Sequence, residues 1–176
     1  CIVPLDNWIM DFLNSGLFMF ESNTKLTIIA NWFIAAEKNN PLINKLKVEL
    51  NKYWTENNFI KRKLLKKFIL KLVKPIFNFN KITARLWLNP LIKRHVKVYP
   101  YQIFYFIFEK IISENREYKK IWDKTPKLNK YICWPNLKTY QEPDQLLINR
   151  LNKEFIPMIK LDWRLSKDKK NTKYSL

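Results

Sequence analysis

Glycine is nearly missing from this chain: Gly16 is the only one in 176 residues. Phosphate-cradling loops of the Walker type and dinucleotide fingerprints need several glycines, so that backbone N–H groups can approach the phosphates. Both are therefore excluded. Cysteine is nearly missing too, with only Cys1 and Cys133. Two cysteines make no disulfide framework and fit a reduced, cytosolic setting. With His95 as the single histidine, they also exclude a zinc site of the usual Cys/His kind. Long hydrophobic runs are absent. The longest, Ile103–Phe108, meets Glu109 and Lys110, whereas a spanning helix needs roughly 20 apolar residues. It reads as a buried helix.

Acidic residues are missing from one region only. Residues 59–100 hold twelve Lys/Arg and no Asp or Glu, whereas residues 1–58 hold five against six, and residues 101–176 sixteen against nine. The formal charge of +18 thus belongs mainly to the middle third. What the chain has in quantity is apolar and aromatic matter: 47% hydrophobic residues, with seven Trp, eight Tyr and twelve Phe. Such a composition supports a folded core, and the length suits one domain.

Within the basic third, Ile60, Leu64, Phe68 and Leu72 recur every four residues beside Leu65, Ile69 and Val73. This periodicity predicts a basic amphipathic helix over 59–77, which Pro75 stops or kinks. Lys61, Arg62, Lys66, Lys67 and Phe68 are its candidate membrane contacts, because cationic helices with Phe and Leu on one face suit anionic membrane surfaces. The competing reading is an ordinary surface helix with its stripe packed on the core. Nucleic-acid binding ranks below both, since no nucleic-acid motif accompanies the charge. His95 lies among Lys93, Arg94 and Lys97 with no carboxylate near it in sequence, which favours an exposed basic-patch histidine over a catalytic one.

Along the chain, the pattern predicts a short helix over residues 8–14 and a strand from Leu17 to Phe20 with Gly16 at its turn. A buried helix from Leu26 to Lys38, capped by Ser22, Asn23 or Thr24, follows. A helix from Pro41 to Tyr53 then opens on proline. Residues 75–98 are broken at Asn89-Pro90, and Tyr101 to Asn115 is helical. Residues 125–137 read as loop with a strand at Tyr131–Cys133. A helix begins at Pro143, a closing strand spans Ile156–Leu165, and residues 166–176 form a polar tail.

Residues 4–43 carry a resemblance. Pro4-Leu5-Asp6-Asn7-Trp8, Gly16-Leu17-Phe18-Met19-Phe20-Glu21, Ile28-Ile29-Ala30-Asn31-Trp32-Phe33-Ile34-Ala35-Ala36 and Asn40-Pro41-Leu42-Ile43 follow one another. Their order resembles the capsular polysaccharide synthesis family of glycosyltransferases, relatives of the transferases with an Asp-x-Asp nucleotide-sugar site. Pro157–Trp163 resembles the family's closing Lys-Leu segment. The resemblance reaches from residue 1 to about 165 and is weak across 55–100.

The resemblance implies a helix-rich α/β fold, part of a GT-A-like (Rossmann-type) domain without its N-terminal nucleotide-binding strands. It implies transfer of a sugar from a nucleotide-sugar donor to a capsular or other cell-surface polysaccharide, through a glycan or lipid-linked acceptor. The family's divalent metal, Mn or Mg, binds acidic ligands upstream of the Pro-Leu-Asp turn, outside this chain, so residues 1–176 alone are expected not to turn over sugar. The family setting is cytoplasmic, at the inner membrane face.

Asp6, Glu21, Asn31 and Trp32 become candidate substrate-binding residues: Asn31 for sugar hydroxyls, Trp32 for stacking, Asp6 and Glu21 for contacts near the donor sugar. Each has a structural alternative: a helix cap for Asp6, a solvated strand end for Glu21, a structural hydrogen bond for Asn31, a core aromatic for Trp32. Family members are expected to carry one histidine after the proline of Trp134-Pro135 and another near Tyr105. Asn136 and Tyr105 stand there instead. The alternative to an enzyme is a non-enzymatic membrane-surface protein, or an inactive transferase remnant, acting through 59–77.

Overall fold

A computed structural model describes residues 4–22 and 24–130 of the chain. The expected features at Tyr131–Cys133, Trp134–Leu137, Pro143, Ile156–Leu165 and 166–176 lie outside the described residues. Two compact units are distinguished: residues 12–127, and a second made of residues 1–11 with 128–176. In the second unit, the described segment at the front forms a 3-10 turn over Leu5–Asn7 followed by the first residues of a short helix.

The larger unit is helix-rich with a small β component. It opens with the end of a short helix α1 (Ile9–Phe12) and strand β1 (Leu17–Glu21), all but the last of whose residues are buried. Strand β2 (Ile29–Ala36) pairs with β1 in antiparallel fashion, Leu17 facing Ala36 and Met19 facing Ile34. The helix expected over Leu26–Lys38 is therefore a strand. A short, nearly continuous apolar run does not reveal its own period, and here β-branched and aromatic residues (Ile28, Ile29, Trp32, Phe33, Ile34) decide for the strand. Ser22 and Thr24, expected as helix caps, instead build the hairpin connection. The Thr24 and Thr27 hydroxyls lie 2.7 Å apart, and those of Ser22 and Thr27 lie 2.8 Å apart.

Gly16 turns the chain into β1 with φ +71°, and a Cβ there would come within 2.7 Å of the Glu37 carboxylate. The left-handed backbone favours glycine here, and a larger residue would also have to displace the flexible Glu37 side chain. Its carbonyl accepts from Glu37 N at 3.0 Å and from Asn40 Nδ2 at 3.0 Å.

Helix α2 (Pro41–Thr55) starts as the sequence predicts, with proline in the first turn. Asn40 caps it, its Oδ1 accepting from Leu42 N at 3.1 Å and Ile43 N at 3.2 Å. Helix α3 (Lys63–Phe77) begins later than the periodicity suggested and does not end at Pro75. The proline sits exposed in the last turn, while Phe77, 8% exposed, carries that turn into the core. Short helix α4 (Lys81–Ala84), a 3-10 turn (Arg85–Leu88) and helix α5 (Pro90–Val96) follow. Asn89-Pro90 is thus not a mere break, because Asn89 caps α5 and proline fills its first position. His95 is exposed in the final turn of α5 with Lys93 and Arg94, where cations suit the helix C-terminus.

Helix α6 (Ile103–Glu114) is the centre of the core, burying Ile103, Phe106, Ile107, Phe108, Ile111 and Ile112. It packs against α2, β2, the 3-10 turn and helix α7 (Arg116–Lys124). Leu17, Met19 and Ile29 of the hairpin join the same core, while Phe18 and Phe20 meet Phe33 edge-on at 6.0 and 5.9 Å. Each fully buried aliphatic or aromatic side chain contributes about 1.5–3 kcal/mol. A third strand, β3 (Lys127–Asn129), starts at the last residue of this unit. The arrangement is compatible with the α/β class.

Candidate functional site at the end of the hairpin

The β1–β2 ladder loses its register near the loop. Two steps along β1, from Met19 to Glu21, are matched by five along β2, from Ile34 back to Ile29. The surplus residues on β2 include Asn31 and Trp32. Bulges of this kind bend a strand and re-aim its side chains, and they gather at functional edges.

Asn31 is exposed there and accepts a hydrogen bond from the Tyr105 hydroxyl at 2.7 Å. Tyr105 comes from the first turns of α6. Burial pushes its phenol up from the ordinary tyrosine value, with Tyr101 adding in the same direction and the Asn31 contact opposing. It therefore stays protonated and keeps donating at neutral pH. Trp32 is half-buried, its indole stacked on the Phe20 ring at 4.6 Å and 17°. Glu21 closes β1, half-buried. It lies near enough to the Lys127 ammonium to act on its titration. That ammonium donates to the carbonyls of Trp122 at 2.7 Å and Thr125 at 3.0 Å.

Glu21, Asn31 and Trp32 thus share the loop end of one hairpin, although Asn31 and Trp32 were placed on a helix by sequence reasoning. Asp6 belongs to the other unit, exposed inside its 3-10 turn. Tyr105 was singled out only as a replaced family position; its pairing with Asn31, 74 residues away in sequence, had no local signal.

Of the basic-helix residues, Lys61 and Arg62 are exposed just ahead of α3, and Lys67 and Phe68 are exposed on it. Lys66 turns the other way, half-buried, with its ammonium 3.3 Å from the Tyr99 ring centroid, a cation–π contact.

A cleft of about 560 Å³, lined by α2, α5, α6 and α7 residues including Lys45, Glu49, Tyr53, Lys93, Lys110 and Glu114, escaped the sequence reading. None of the predicted site residues lines it. Its walls carry both charges, with Lys45 bonded to Glu49 at 2.7 Å. Burial lowers the affinity of the Lys93 ammonium for its proton.

The Tyr53 hydroxyl at this cleft is buried and has no hydrogen-bond partner among the described residues. Burial, aided by Tyr99, pushes its phenol far above the ordinary range. A raised folded-state pKa leaves stability intact below the unfolded value, about 10, and removes it as pH climbs above that value. Tyr53→Phe should therefore be at least as stable as the parent at pH 7, because an unpartnered buried hydroxyl costs about 1–3 kcal/mol. It should also lose less stability between pH 9 and 11. Urea midpoints at the two ends of that range check both, and a variant that is less stable at pH 7 would point to an unseen partner for the hydroxyl.

Among the described residues no group of three or more His, Cys, Asp or Glu is placed to hold a metal ion. No helix of the described residues is long and apolar enough to cross a membrane. Compared with known proteins, the chain matches no family model, no curated protein and no solved structure.

Proposed function

We propose that this chain is part of a glycosyltransferase domain that moves a sugar from a nucleotide-diphosphate donor to a surface glycan or its lipid-linked precursor. The observation that carries the reading is the Asn31–Tyr105 pair, held at 2.7 Å where the β2 register is broken. An amide and a phenol side by side offer the donors and acceptors that sugar hydroxyls need. Trp32, braced on Phe20, adds an aromatic surface of the kind that covers the apolar face of a pyranose, and Glu21 supplies an acceptor at the same hairpin end. These are binding and orienting roles. A divalent metal of the kind the resemblance implies would supply the concentrated positive charge that a leaving diphosphate needs.

The test is release of nucleoside diphosphate from a panel of nucleotide-sugars, with Mn²⁺ and a glycan acceptor, by the complete enzyme that carries this domain. Asn31→Ala should lower transfer about 10- to 100-fold, the equivalent of one polar contact worth roughly 1–3 kcal/mol. Tyr105→Phe should lower it by less, because Asn31 stays. Transfer that ignores both substitutions, or no transfer from any donor, would remove the reading.

A further inference from the structure

Helix α3 is apolar on two sides, and only one of them is used. Ile69, Leu70 and Val73 are half-buried against the core, and Phe77 is buried. Leu64 (82% exposed), Phe68 (62%), Leu72 (57%) and Ile76 (63%) point elsewhere. At 3.6 residues per turn, positions 64, 68 and 72 form one row, with 65 and 76 beside it. The single apolar stripe expected from sequence is thus split: its Ile69–Val73 edge packs inward and its Leu64–Leu72 edge stands in solvent. Just beyond the helix, Phe79 and Ile82 are 62% and 77% exposed.

The row has a basic neighbour. Lys63, Lys67, Lys71 and Lys74 recur at helical spacing along its other flank, all exposed. No acid answers them anywhere in residues 59–100, and none of the three ion pairs found among the described residues involves α3. Exposed leucines and a phenylalanine at this density ask for cover. A row of lysines with no ion-pair partner among the described residues favours a cover that is anionic.

We infer that the outer face of α3 docks on an anionic lipid surface, lying in the interface with Leu64, Phe68 and Leu72 among the acyl chains and the lysine row at the headgroups. A protein partner would need an apolar groove bordered by acids. A lipid leaflet with acidic headgroups supplies both properties without a matched shape, and the geometry is that of an interfacial helix. Each lysine near such a surface adds about 1 kcal/mol. The inference stands apart from the glycosyltransferase reading, since it uses none of the hairpin residues.

The experiment is co-sedimentation of the 176-residue chain with vesicles of phosphatidylcholine containing 30% phosphatidylglycerol, and with vesicles of phosphatidylcholine alone. Binding to the acidic vesicles is expected to exceed binding to the neutral ones by more than tenfold and to fall as salt is raised. The variant Leu64→Ser/Phe68→Ser/Leu72→Ser should lose at least tenfold. So should Lys63→Glu/Lys67→Glu/Lys71→Glu. All these residues are exposed, so circular dichroism should match the parent. The parent's lipid and salt dependence tests the idea without any variant.

Three outcomes would overturn the proposal. The chain could ignore acidic vesicles. The serine variant could bind as well as the parent, which reduces the effect to charge. Or the parent could form a dimer that the serine variant abolishes without any lipid binding, which makes the occupant a second copy.

Discussion

Trp87→Ala should remove about 3–5 kcal/mol of stability, the largest loss expected from any single truncation described above. The indole is 1% exposed. It stands edge-on to Phe77 at 4.9 Å and donates from Nε1 to Asn78 Oδ1 at 2.8 Å. Its removal leaves a large cavity beneath α6 and takes from Phe77, in the last turn of α3, its edge-on ring contact. It also leaves the Asn78 amide, whose Nδ2 is already buried without a partner among the described residues, without its oxygen's indole donor. Typical domains hold only about 5–15 kcal/mol in reserve, so the variant should lose a large share of its stability. Trp87→Phe fills part of the cavity and should fall between. Urea titrations give the ranking, with midpoints compared at equal slope. A loss below about 1 kcal/mol would mean that the site collapses far more readily than cores usually do.

Asn40→Ala comes next, with an expected loss of about 2 kcal/mol. One amide performs two tasks. Its oxygen caps α2 through Leu42 N and Ile43 N, and its Nδ2 donates to the Gly16 carbonyl. Loss of a cap costs about 1 kcal/mol, and loss of a buried hydrogen bond adds about as much again. Glu37 N also donates to that carbonyl, which keeps the second contribution at the low end. Asn40→Ser retains a cap oxygen and should recover about half. Thermal unfolding of the three proteins checks the order Asn, Ser, Ala; equal values for Ser and Ala would leave the cap without weight.

Local chemistry made part of this fold readable. Gly16 before an apolar run announced β1, and Pro41 announced α2, because turn glycines and first-turn prolines act within a few residues. The second strand was misread for a reason equally local. Ile28–Ala36 is apolar on successive positions, and only its pairing with β1 reveals the two-residue period. Helix α7 was not read at all, although Asn115 Oδ1 accepts from Glu117 N at 2.8 Å and Tyr118 N at 3.2 Å. That asparagine ends one helix and begins the next, and the sequence pattern marks only the first of these. At the candidate site, the residue types were legible and their partners were not. Asn31 announced itself as an amide in an apolar run, but Tyr105 reaches it only through the packing of α6 on β2. The cleft over α2 and α6 is likewise a product of helix crossings, which no spacing along one segment encodes.

The split between the two apolar edges of α3 has an energetic consequence. Many interfacial helices are coils in water and must fold as they land, at about 1–2 kcal/mol of backbone entropy for each residue ordered. Here Ile69, Leu70, Val73 and Phe77 already hold the helix against the core. Its outer row is preorganised, and the apolar surface it offers can go wholly into affinity. Contact with lipid should then leave the helical signal unchanged, the behaviour of a prefabricated foot rather than of a segment that takes shape on arrival.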